Sequence, residues 1–288
     1  MINNNNIIQR VLLFVIAIPL IAAAIFFLPQ QKHIFFNIIT VIASYISSKE
    51  LINMLSHKGI KLNSKVIPFL SLPLPITSYL IVRFNLNSDI FSIVLTSLIL
   101  LILLIAISTK KSDNDFSNNV TFSATSLFLI IYPGYFISYI VRFSEFENAS
   151  LIICFFILIV FLNDSAAWLF GVLFGKNNRG VVKVSKNKSV MGFLGGTVGT
   201  FVFMGLAKYL IPELKPMPII SYIILSSLIS LVTITGDLVE SAIKRSCNVK
   251  DSGNIIMGRG GLLDSIDSLL LAAPFFYYIV KVYSEKGF

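Results

Sequence analysis

Charge is what this sequence most conspicuously lacks. Only 14 of its 288 residues are acidic, and residues of either sign make up 13%, about half the ~25% usual for a soluble domain. That scarcity excludes an ordinary water-exposed globular fold. Two cysteines, Cys154 in an apolar run and Cys247 in a polar loop, exclude a disulfide framework. The two histidines, His33 and His57, read as loop residues. No polar cleavage region follows Ala22-Ala23-Ala24, which runs straight into Ile25-Phe26-Phe27. The first apolar run is therefore expected to be a retained helix and not a removable signal peptide.

What the chain has instead is apolar length, with 56% hydrophobic residues. Runs such as 95–107 and 151–162 are more than a small soluble core could bury. A bilayer core about 30 Å thick takes about 20 apolar residues per helix. On that measure the fold class is an all-α polytopic membrane protein with about nine transmembrane helices. The expected spans are 7–28, 34–47, 66–82, 89–108, 120–141, 149–174, 193–211, 218–237 and 263–283. The second and third are short for a full crossing.

The net charge of +9 could suggest a nucleic-acid partner. The positive-inside rule offers another source, and alternate loops can be counted to test it. One side collects Arg10, Lys49, Lys58, Lys61, Lys65, Lys110, Lys111, Lys176, Arg179, Lys183, Lys186, Lys188, Lys244, Arg245, Lys250 and Arg259. These are sixteen of the 23 basic residues, so membrane topology explains the charge and no nucleic acid is needed. The same count places the N-terminus and the polar loops 175–192 and 238–262 in the cytoplasm.

Most carboxylates, Glu50 among them, fall in expected loops or at helix edges. Asp164, Asp237, Glu240, Asp264 and Asp267 instead lie within apolar spans or at their mouths. An ionisable group at bilayer depth costs at least about 2.5 kcal/mol on insertion scales, so it is usually retained for a function or a partner. Asp164 stands ten residues before the end of its span, roughly 15 Å deep at about 1.5 Å per residue. Ala167, Gly171 and Gly175 follow it at four-residue spacing, and Gly192, Gly196 and Thr200, with Gly195 and Gly199, repeat the device in the next span. Such small faces let helices approach closely; helix packing within the chain or a homodimer would both use them.

Asp237, Glu240, Ser241 and Lys244 share one helical face, and Asp264, Asp267, Ser268 and Leu271 share another. Hard divalent cations take such oxygen ligands, and Mg²⁺ is typically held by one or two carboxylates plus substrate phosphates. Lys244, Arg245, Lys250 and Arg259 nearby in sequence would suit a polyphosphate. A solvated, salt-bridged helix end would show the same periodicity.

The stretch 236–268, GDLVESAIKRSCNVKDSGNIIMGRGGLLDSIDS, closely resembles the signature of the phosphatidate cytidylyltransferase (CDP-diacylglycerol synthase) family. The matching residues are Ser241, Lys244-Arg245, Lys250-Asp251, Gly260-Gly261, Asp264 and Asp267. A second segment also resembles it, with Asp164, Phe174-Gly175-Lys176, then Ser185, Lys188, Ser189, and Gly192, Gly195 and Gly196. Tyr132-Pro133-Gly134 with Arg142 looks like the family's helix break and following arginine. The resemblance covers roughly 120–288; the first hundred residues share only hydrophobic character with it. Three positions depart from the pattern: Arg259 where the family usually has His, Ser265 where it has Arg, and Met191 where Glu or Gln is common.

The resemblance implies a multi-pass protein of a bacterial cytoplasmic membrane, with its active site at the cytoplasmic mouth of the C-terminal helices. Residues 1–119 would be N-terminal helices and 120–288 the catalytic part. The implied reaction joins CTP and phosphatidate into CDP-diacylglycerol and pyrophosphate, with Mg²⁺ held by Asp237 and Asp264 and a second, monovalent ion such as K⁺. Lys244, Lys250 and Asp251 are implied in catalysis. Asp164, Ser185, Lys188, Ser189, Arg245, Arg259 and Asp267 are implied in substrate binding. A CTP-dependent lipid kinase is the nearest alternative, and a transporter the alternative from another class. A transporter would show a matching first half with its own buried carboxylates, and the sequence has none.

Overall fold

The computed structural model describes residues 16, 19–60, 62–108, 118–215, 217–256 and 260–285. Among these, structure is helical apart from isolated antiparallel bridges in two loops. Eight helical segments are long and apolar enough to cross a bilayer, and they coincide with the last eight expected spans. Most of the first half of the first expected span lies outside the described residues, which are helical over 19–27. The apolar side chains on the outside fit a lipid solvent: Trp168 is 70% exposed and Leu104 60%. In water such a surface would be an association hazard.

The chain forms two compact units, each discontinuous in sequence: Met1–Glu145 with Ser246–Ser265, and Phe146–Arg245 with Ile266–Phe288. The first contains α1 (Gln30–His57), a 3₁₀ turn (Ile67–Ser71), α2 (Pro73–Phe84), α3 (Asp89–Ser108), α4 (Asn119–Leu129) and α5 (Phe136–Arg142). Gln31, Lys32 and His33 have left-handed backbone angles (φ 51°, 59° and 58°), so regular helix begins where the second span was expected to begin. It then continues to His57, well past residue 47. Glu50, expected at a loop or helix edge, therefore sits inside α1 and is buried.

Between α4 and α5 the chain forms a single π turn, Ile130–Tyr135, around Pro133. Proline has no N–H for the helical ladder and crowds the preceding turn, which breaks the regular helix there. Ser44 donates to the carbonyl of Pro133 itself at 2.7 Å. Gly134 meets the Ser71 carbonyl so closely that a Cβ would stand 2.9 Å from it. An apolar cluster of Leu74, Phe91, Leu98, Ile102 and Ile130 fills the space around this break. Arg142 lies over the Phe91 ring, 4.2 Å from its centroid.

The second unit contains α6 (Ala149–Phe174), α7 (Val190–Leu210), α8 (Ile219–Ser246) and most of α9 (Leu263–Glu285). The small residues seen in sequence pack α6 on α7. A Cβ on Gly192 would lie 2.9 Å from the Ala167 carbonyl, and one on Gly199 2.8 Å from Ala166 Cβ. These faces are used inside the chain, so they offer no argument for a homodimer. Asn163 ties the same helices to α8: its amide donates to Gly196 O (3.0 Å), Thr200 Oγ1 (2.7 Å) and Ser230 Oγ (3.2 Å).

Candidate active site

In the second unit, α8 carries Asp237, Glu240, Ser241 and Lys244 as one continuous helical face, as the spacing implied. Lys244 pairs with Glu240 at 2.5 Å, and Glu240 is wholly buried. An isolated buried charge would be very costly, and the pairing offsets much of that cost. Asp237 is bound by Lys188, which reaches it from the loop before α7. Ser241 Oγ also donates to Asp237 Oδ1, at 3.4 Å.

That loop is organised by backbone bridges between Arg179 and Ser189 and between Val182 and Ser185, and by Gly180 N donating to Lys188 O at 2.9 Å. Gly180 adopts φ +78°, a conformation that suits glycine. Ser189, offered by its sequence as a ligand-binding hydroxyl, caps α7: its Oγ accepts from Gly192 N at 3.0 Å. An Ncap serine satisfies an N–H that the helix itself leaves without a partner. Ser185 lies in the turn, and Lys188 N donates to its carbonyl at 3.1 Å. Lys188 is thus the residue that the loop delivers to the carboxylates. Burial holds its amine below the usual lysine range, against the pull of Asp164 and Asp267, while Lys244 adds to the lowering. Asp164 on α6 and buried Asp267 on α9 therefore belong to the same electrostatic group as Lys188.

In the first unit, the polar stretch 246–262 leads into Asp264. Asp264 Oδ2 accepts from Gly261 N (2.7 Å), Ser252 N (2.8 Å) and Ser252 Oγ (3.0 Å). Arg245 in the second unit, and Lys250 and Asp251 in the first, are exposed. Arg259 lies outside the described residues. Sequence reasoning missed Glu50, which accepts from Ser252 Oγ, Leu262 N and Leu263 N. The available signal was an acid within an apolar helix, obscured because the span was drawn to end at 47. It also missed Asn163, whose intramembrane amide could have been singled out as Asp164 was.

Among the described residues, no three His, Cys, Asp or Glu side chains gather as a metal cage. Mg²⁺ is commonly held by only one or two carboxylates, with phosphate and water completing its shell, so the residues present are compatible with such an ion. The Lys188 ammonium on Asp237 fits that reading, since a cation already stands at this carboxylate.

The chain matches the cytidylyltransferase family over residues 8–283, and it belongs to that family. The phosphatidate cytidylyltransferase of Staphylococcus saprophyticus is 32% identical over 269 residues, covering 88% of this chain and 94% of that protein. That of Bacillus subtilis is 35% identical over 170 residues, covering 58% of this chain and 62% of that protein. That of Aquifex aeolicus is 34% identical over 155 residues, 54% of this chain and 56% of that protein. With these two, the match spans somewhat more than half of the relative's length. The family match reaches well into the first hundred residues, where the motifs had shown only hydrophobic character.

Proposed function

We propose that this chain is a membrane-embedded phosphatidate cytidylyltransferase, making CDP-diacylglycerol and pyrophosphate from CTP and phosphatidate. A phosphate oxygen of the lipid attacks the α-phosphorus of CTP, the bond from that phosphorus to the β-phosphate oxygen breaks, and pyrophosphate leaves. The observation that carries the reading is the Lys188–Asp237 ion pair, in a chain that belongs to this family.

The main obstacle to the reaction is repulsion between two anions, and preorganised positive charge removes it. Lys188 supports this role because it is a semi-buried cation paired with a carboxylate that can release it to an arriving phosphate. Lys244, Arg245, Lys250 and Arg259 are the proposed triphosphate and pyrophosphate contacts, and Asp251 accompanies them in the motif. Ser185 and Ser189 shape the loop that presents Lys188, and Asp164 lines the route of the polar headgroup. Mg²⁺, with Asp237 and Asp264 as the ligands that the motif implies, would supply Lewis-acid charge at the phosphates; K⁺ is proposed as a second ion. No general base is required, because the lipid phosphate is already ionised near neutral pH.

The catalytic groups belong to residues 120–288, supported by Glu50 from the N-terminal helices. Positive-inside counting supports a cytoplasmic active site in a bacterial cytoplasmic membrane, on the side where CTP resides. The test is incubation of membranes containing the chain with phosphatidate, Mg²⁺ and CTP labelled at either the α- or the γ-phosphate. The α-label should enter a CDP-lipid. Entry of the γ-label into lipid would instead identify a lipid kinase.

A further inference from the structure

We propose that Glu50 is a positioning residue for Asp264, an inference that rests on Asp264 acting as a cation ligand in the proposed reaction. The first N–H groups of a helix have no partners within it, and a carboxylate is favoured there by the helix dipole. At the start of α9 the local residues are Gly261 and Leu262, which offer no capping side chain. Glu50 supplies the cap from α1. Its Oε1 accepts from Leu262 N at 2.9 Å and its Oε2 from Leu263 N at 2.8 Å.

The same carboxylate reaches Asp264 through one hydroxyl. Ser252 Oγ lies 3.2 Å from Glu50 Oε2 and 3.0 Å from Asp264 Oδ2, and accepts from Asp264 N at 3.3 Å. A serine hydroxyl has a single proton to donate, so both acids share it and neither can turn without disturbing the other. The loop is moulded around Glu50: a Cβ on Gly253 would stand 2.6 Å from its Oε1, and one on Gly261 2.6 Å from its Oε2. Glu50 is 4% exposed and Ser252 5%, so neither is placed to meet substrate. Together they fix the orientation in which Asp264 presents its carboxylate.

The test uses the full-length chain in nanodiscs, with Mn²⁺ as the probe ion. Electron paramagnetic resonance measures its binding in the presence of CTP, and steady-state kinetics gives kcat and KM. Loss of a group that orients a metal ligand commonly costs about 10- to 100-fold in affinity or activity. Glu50→Gln should weaken Mn²⁺ binding by about that factor, while leaving KM for phosphatidate unchanged. In an Asp264→Asn background the same substitution should add nothing. Glu50→Asp, which keeps the charge but shortens the reach, should recover part of the affinity. If Glu50→Gln does not fold, Ser252→Ala is measured instead; it breaks the link but keeps both backbone bonds of Glu50, and should weaken Mn²⁺ binding in the same direction. Unchanged Mn²⁺ affinity and kcat per folded molecule, in whichever variant folds, would overturn the proposal even if thermal stability fell. A wild-type product other than CDP-lipid would overturn the reaction and leave the ion-binding result standing.

Discussion

Asp264 and Asp237 are equivalent as carboxylates but are held by opposite means. Asp264 sits in a cradle of neutral donors, two backbone N–H groups and a serine hydroxyl. Asp237 is bound by a cation, Lys188, on a loop outside the helices, with a weaker hydroxyl contact from Ser241. Neutral dipoles fix an anion without cancelling its charge. A lysine cancels the charge and can be exchanged for another cation. One carboxylate is thus fixed with its charge intact, and the other is neutralised by a cation that can exchange.

Substitutions test that contrast, from the largest expected effect downwards. Asp237→Asn and Asp264→Asn should each abolish CTP incorporation into lipid while membrane insertion, checked by fractionation, stays normal. Wild-type turnover in either would remove that aspartate from the site. Lys188→Met comes next. It should cut kcat/KM by about 10- to 100-fold, the scale of a lost charge-assisted contact of 1.5–3 kcal/mol. Glu50→Gln should leave the Lys188–Asp237 pair unaffected, so the double variant with Lys188→Met should be additive.

Gly236→Ala should have a smaller effect, on stability. Its Cβ would lie 2.8 Å from Asp267 O and Ser268 Cα, backbone atoms that cannot step aside. Overpacking of this kind costs about 1–3 kcal/mol, readable as a lower melting temperature in detergent. Ser241→Ala should be smallest of all. Its 3.4 Å contact to Asp237 is at the edge of hydrogen bonding, and the expected loss is under about 1 kcal/mol. A loss as large as that from Lys188→Met would show that Asp237 is held by the hydroxyl and overturn the contrast.

The fold was legible where its cause is local. Apolar length placed 89–108 and 149–174 where α3 and α6 lie, and helical spacing carried α8 past its apolar part to Lys244. Small residues at four-residue intervals marked closely packing faces on two successive spans, and the structure sets those faces against each other as the α6–α7 contact. What stayed hidden depends on partners distant in sequence. Glu50 lies more than two hundred residues from Leu262 and Leu263, and no periodicity connects them. Lys188 was visible as a basic residue, but nothing in the sequence paired it with Asp237. Ser189 caps α7, and because an Ncap serine and a phosphate-binding serine occupy the same place before a glycine-opened helix, sequence alone does not separate the two roles.

The seam between α6 and α7 also bears on how this chain can change over generations. At Gly192 the space for one more carbon is closed by the Ala167 carbonyl, and at Gly199 by Ala166 Cβ. Even alanine, ordinarily the mildest replacement, is obstructed at both. At Gly199 a larger residue becomes admissible once position 166 is glycine, so drift there must proceed in compensating pairs. At Gly192 the obstacle is backbone, which no exchange of side chains removes. One seam thus holds a site that can trade volume with its neighbour and another that is closed to variation.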